Sequence, residues 1–113
     1  MAATFFIKQN DTAPDIQAAL KDSNGRVKSM VNAAAVRFHM KDENGNMLVE
    51  NGEGTVINPA KGIVAYIWQP GDTAIVGTHN AEFEIEYSST AGGGIETFPN
   101  TGYIKVIIKD ELA

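Results

Sequence analysis

Ala81-Glu82-Phe83-Glu84-Ile85-Glu86-Tyr87 sets four apolar side chains against three glutamates in strict alternation. A period of two sends one set into a core and the other into water, as a half-buried antiparallel strand requires and a helix does not. The same pattern recurs upstream, where Val36, Phe38 and Met40 alternate with Arg37, His39 and Lys41. It recurs again downstream, where Ile104, Val106 and Ile108 alternate with Lys105, Ile107 and Lys109.

Weaker strands are expected at 4–8, 16–21, 47–50, 55–58, 63–68 and 95–98. Turn signals separate them: Asn24-Gly25, Asn44-Gly45, Asn51-Gly52, Pro70-Gly71, Gly92-Gly93-Gly94 and Asn100-Thr101-Gly102. Asn-Gly supplies the positive φ angles of tight hairpins at little steric cost. About eight short strands in 113 residues predict an all-β, antiparallel β-sandwich. Ser29 to Ala35, with three consecutive alanines, is the best helix candidate; a loop or short 3₁₀ segment between the sheets fits the same residues.

Composition narrows the function. A chain of 113 residues reads as one domain, 1–113, able to hold a core without disulfide or metal, and it has no cysteine for thiol chemistry or thiolate zinc sites. Nine basic against fourteen acidic residues give a net charge of -5, which argues against nucleic acid or an anionic membrane as partner. The start, Met1 to Lys8, has no basic leader and no apolar run of signal-peptide length. Lys109-Asp110-Glu111-Leu112 is followed by Ala113, so it is not a terminal retention signal.

Catalytic and metal chemistry find little support. His39 and His79 are the two histidines, and neither lies near a serine elbow; His39 reads as a solvent-facing strand residue and His79 as a residue at the entry of the Ala81 to Tyr87 strand, hydrogen-bonded at a sheet corner. Asp42-Glu43-Asn44-Gly45-Asn46 is rich in oxygen donors, but its glycine stands fourth where a calcium loop needs it sixth, so a hairpin turn accounts for it. The glutamates at 82, 84 and 86 are about 6.5–7 Å apart along a strand, too far for tight chelation. Lys105 and Lys109 would balance them if the last strand is their neighbour. Gly92 to Gly94 lacks a following helix for a phosphate site. No enzyme, no cofactor and no metal is therefore expected.

Ile63-Val64-Ala65-Tyr66-Ile67-Trp68 is apolar on both faces. Ile63, Ala65 and Ile67 fall on one side, where either the chain's own loops or a second subunit would cover them as a protein-contact stripe and homo-oligomer surface. Trp68, Tyr66, Tyr103 and Phe98 could alternatively form a stacking platform for carbohydrate, against their commoner use in a core.

The order of these motifs resembles the immunoglobulin-like domain of phage baseplate upper proteins. The likeness runs from Asp11-Thr12-Ala13-Pro14-Asp15 through Leu20 to Gly25 and Val36 to Met40, then Gly62 to Trp68, Asp72-Thr73 with Gly77, Ala81 to Ile85, and Thr97 to Asn100 before Tyr103 to Ile108. The resemblance implies an immunoglobulin-like sandwich in a virion structural protein of the tail or baseplate. Its partners would be other baseplate proteins, in host attachment, and it would be made in the host cytoplasm. His79 departs from the tyrosine that the family often places there. A carbohydrate-binding or adhesion module is the alternative.

Overall fold

The computed structural model describes residues 4–112 and resolves the alternating segments into nine strands. These are β1 (Thr4–Lys8), β2 (Ile16–Ala19), β3 (Ala33–Lys41), β4 (Met47–Glu53), β5 (Thr55–Asn58), β6 (Ile63–Tyr66), β7 (Gly77–Tyr87), β8 (Ile95–Phe98) and β9 (Ile104–Lys109). A large sheet runs β1-β9-β7-β3-β4, and β8 also joins β7. β9 takes residues 77–81 of β7 and β8 takes residues 83–86. The small sheet runs β2-β6-β5. All pairs are antiparallel except β1 with β9. The two sheets face each other as an immunoglobulin-like β-sandwich.

The alternation does what its period requires. Phe38, Met40, Ala81, Phe83, Ile85, Val106 and Ile108 all point inward and are buried. Phe38 stacks on Tyr66 of the small sheet, with ring centres 4.6 Å apart, and meets Trp68 edge-on at 5.5 Å. These aromatic contacts tie the two sheets across the core, in the place where antibody domains use a disulfide.

Chain crossing between the sheets depends on close backbone approach. β4 belongs to the large sheet and β5 to the small one, with Gly54 alone between them. A Cβ at Gly54 would sit 2.7 Å from Val36 Cγ1 and 3.0 Å from the Ala65 carbonyl oxygen. One at Gly52 would lie 2.5 Å from the Tyr66 ring. The hydrogen at these positions is therefore what lets the corner pack.

Ser29 to Ala35 is not helical. Ala33 to Ala35 begin β3, where Ala33 faces Tyr87 and Ala35 faces Glu86 across a local irregularity in register. Before them the chain makes a turn closed by Ala33 N–H to the Met30 carbonyl at 3.1 Å, and Met30 is buried. Alanine's helix preference is worth less than about 1 kcal/mol per residue, and pairing with a long strand outweighs it.

Candidate functional site

The outer face of the large sheet collects most of the polar residues singled out above. Arg37 lies across from Glu84 in register and reaches both Glu86 Oε1, at 2.7 Å, and Glu84 Oε1, at 3.5 Å. The Glu86 hydrogen bond, more than any other influence, raises the guanidinium pKa above its ordinary value. His39 faces Glu82 in register and brings Nε2 within 3.8 Å of Glu84 Oε1. The expected balancing of the glutamates by Lys105 and Lys109 needs correction. β9 pairs only with the first part of β7, so Lys105 lies opposite Asn80 and donates to its Oδ1, while Arg37 of β3 pairs with Glu84 and Glu86.

Both histidines are committed to hydrogen bonds. His39 lies on the solvent side of β3, as the alternation requires, and is partly buried there; its Nδ1 accepts the Asn51 N–H at 3.1 Å, which places the proton of the neutral ring on Nε2. His79 is buried and its Nε2 lies 2.8 Å from the Ile75 carbonyl, four residues upstream, so Nε2–H donates and Nδ1 is bare. His79 is the third residue of β7, opposite Val106 of β9, so it lies inside the strand and not at its entry. Coordination through either Nε2 would have to displace these protons and break the bonds that set the tautomers. Among the described residues no group of three or more His, Asp and Glu side chains is placed to hold a metal ion.

Asp42 closes the turn to which the oxygen donors belong. Its Oδ1 accepts the N–H groups of Asn44 and Asn46, at 2.9 and 2.8 Å, and its Oδ2 accepts Asn46 Nδ2 at 3.0 Å. The Asn46 side chain, followed by that residue's backbone N–H, holds the carboxyl below the usual range. Asp22 repeats the arrangement with Asn24 and Arg26. These carboxylates are occupied in shaping hairpins.

The aromatic platform dissolves on inspection of the core. Trp68, Tyr66 and Phe98 are buried, leaving Tyr103 as the exposed ring of the four. Tyr66 donates its hydroxyl to Asp72 Oδ2, which also accepts the Gln69 N–H at 2.8 Å. Burial first, and then the Asp72 hydrogen bond, push the Tyr66 phenol above its ordinary pKa.

The stripe on the small sheet divides into three different environments. β6 is the central strand, with Gln17 of β2 and Thr55 of β5 on either side of Ala65. The small residue between them is 1% exposed, although it points away from the core. Ile63 is half-buried, and Ile67, just beyond β6, is 60% exposed. The chain's own loops therefore leave Ile67 open. Ile57 in β5 is likewise 52% exposed.

No protein-family model matches this chain, and no curated protein matches it. Its fold is shared with a solved protein. CopC from Methylosinus trichosporium OB3b superposes with a TM-score of 0.56 at 13% sequence identity, covering 99% of this chain and 89% of that one. At that identity the likeness concerns the sandwich architecture.

The reading as a phage tail module, with its virion location, is corrected on this ground, because the chain superposes on CopC, which is not a baseplate protein. The physical reason lies in what the resembling motifs encode. Val36 to Met40, Ala81 to Ile85 and Tyr103 to Ile108 supply inward strand positions, while Asn24-Gly25 and Asp72 shape turns. Such motifs specify a sandwich and follow it into any protein that uses one. The carbohydrate alternative falls with its platform. Met1 to Ala3 and Ala113 lie outside the described residues, so the leader and terminal-signal readings are not addressed there. No helix of the described residues is long and apolar enough to cross a membrane.

Proposed function

We propose that this chain is a non-catalytic contact module that engages another protein through the outer face of its small sheet. One observation carries the reading. β2, β5 and β6 contain no charged residue, and Ile57 and Ile67 are more than half exposed on or beside them. Covering such a face gains about 25 cal/mol per Å² of apolar surface and desolvates no ion. Ile57 and half-buried Ile63 are neighbours across β5 and β6 and Ile67 stands at the other end of the same face, so apolar side chains left open on an uncharged sheet face support a protein partner.

A photo-crosslinking residue placed at position 67 tests it, with position 84 on the opposite face as the reference. Position 67 should give a discrete protein adduct in an extract of the source cells. Unlabelled chain should compete it away, and Ile57→Glu should abolish it. Equal labelling at 67 and 84, or labelling at 67 that excess chain does not reduce, would remove the proposal.

A further inference from the structure

The free edge of β2 differs from the other edges of the two sheets. β4 carries Glu50 and Glu53 and two register irregularities against β3. β5 is irregular between Val56 and Asn58, β1 ends in Lys8, and β8 contains Glu96. Charges and bulges of this sort keep edge strands from pairing with other chains. β2, Ile16-Gln17-Ala18-Ala19, has neither, and its register with β6 is continuous from Ile16 opposite Tyr66 to Ala19 opposite Ile63.

Which backbone groups are free follows from the bonds already made. Leu20 N–H donates to the Gly62 carbonyl at 2.8 Å, and the Leu20 carbonyl accepts Lys28 N–H at 2.9 Å. In an antiparallel pair successive residues point their N–H and C=O groups to opposite edges. Ile16, Ala18 and Leu20 thus serve the β6 side, and Gln17 and Ala19 present theirs outward. Both residues are exposed, and no described backbone partner takes these outward groups.

We infer that this edge pairs with the same edge of a second copy of the chain, antiparallel about a two-fold axis at Ala18. The side chains select that register. It sets Gln17 opposite Ala19 of the mate as the hydrogen-bonded pair, and Ile16 opposite Leu20. It also sets Asp15 opposite Lys21 on both sides of the axis, so two opposite charges meet twice. A shift of two residues centres the axis on Gln17 and puts Asp15 opposite Ala19 and Pro14 opposite Leu20. The reverse shift, centred on Ala19, puts Ile16 opposite Asp22. Neither matches the charges.

A groove of 500 Å³ lined in part by Ala18, Leu20, Phe98, Pro99 and Ile104 runs beside this edge, leaving room on the inner side of the seam. The result is one continuous six-stranded sheet. This pairing uses an edge and not the face invoked above, and it stands or falls separately from that reading.

The charges provide the test. Sedimentation equilibrium across a concentration series should show a dimer of twice 12.1 kDa. Asp15→Lys alone and Lys21→Asp alone should each weaken it at least about tenfold, since each creates two like-charge contacts. Mixing the two variants should restore dimer as a heterodimer, because every contact is then complementary, and the double swap in one chain should do the same. Ile67→Glu should leave the dimer intact. In this cysteine-free chain, Ala18→Cys should oxidise readily to a disulfide-linked dimer, because residues facing each other on the axis stand about 4.5 Å apart. Circular dichroism of each variant confirms folding. Monomer at every concentration overturns the inference, as does a dimer insensitive to both charge reversals or one broken by Ile67→Glu alone.

Discussion

The two outer faces of this sandwich are built on opposite principles. The large sheet turns Arg37, His39, Glu82, Glu84 and Glu86 outward, and Arg37 already holds two of the three glutamates. The small sheet turns outward residues that are apolar or uncharged, and leaves Ile57 and Ile67 open to water. A face rich in charge can be the less available one when its charges satisfy each other. A face without charge keeps its apolar surface for a partner.

Substitutions on either side of the core test this contrast. Trp68→Ala has the largest expected effect, a loss of about 3–5 kcal/mol in urea unfolding, because the ring belongs to the shared core. A change within about 0.5 kcal/mol would instead return Trp68 to the surface. Gly54→Ala should cost about 1–3 kcal/mol by forcing Val36 and the Ala65 carbonyl away from the crossing. If it is neutral, the corner between the two faces is looser than the close contacts show.

Alkaline titration tests the inner end of the small sheet. The Tyr66 pKa is raised in the folded state, so its contribution is fully present below the ordinary phenol pKa near 10 and is lost as pH rises through the higher folded value. The unfolding midpoint should therefore fall above about pH 10, and Tyr66→Phe should flatten that fall, leaving the share due to Tyr87, which is raised the same way. An unchanged slope in Tyr66→Phe would place the hydroxyl in water.

On the large sheet, Arg37→Met should lower stability slightly, and the difference should shrink as salt is added, because its ion pairs lie at the surface. A difference that persists at high salt would mean packing, not charge, is lost. Smallest of all is Ile67→Lys, expected within about 0.5 kcal/mol of the parent in urea unfolding. A large loss there would show that Ile67 supports the fold, and would weaken its role as a contact.

Local readings from the sequence fared according to their range. The turns at Asp22 to Arg26 and Asp42 to Asn46 were legible because a carboxylate and an Asn-Gly pair close them within five residues. The hydrogen bond of His79 was legible because its acceptor is four residues away, whereas its place inside β7 and not at the strand entry was not, since the pairing of residues 77–81 with β9 that lengthens the strand is long-range. The partner of the glutamate row was not, since Arg37 is 47 and 49 positions from Glu84 and Glu86. At Ser29 to Ala35 the loop reading holds for 29–32, and the helix reading fails for the same reason: the preference of three alanines is local, and the pairing with β7 that overrides it is not. Ile63, Ala65 and Ile67 share one face by alternation and differ in exposure because the first two are paired within β6 and Ile67 lies past its end.

A period of two and closely spaced turn residues act within a few positions, so the β-sandwich is written locally in the amino-acid sequence. Which surfaces are spent and which are free is settled only in the folded molecule. That depends on which strands become neighbours, and so on where Arg37 finds its glutamates, why Ala65 is buried while Ile67 is open, and why the edge of β2 is left with backbone groups to offer.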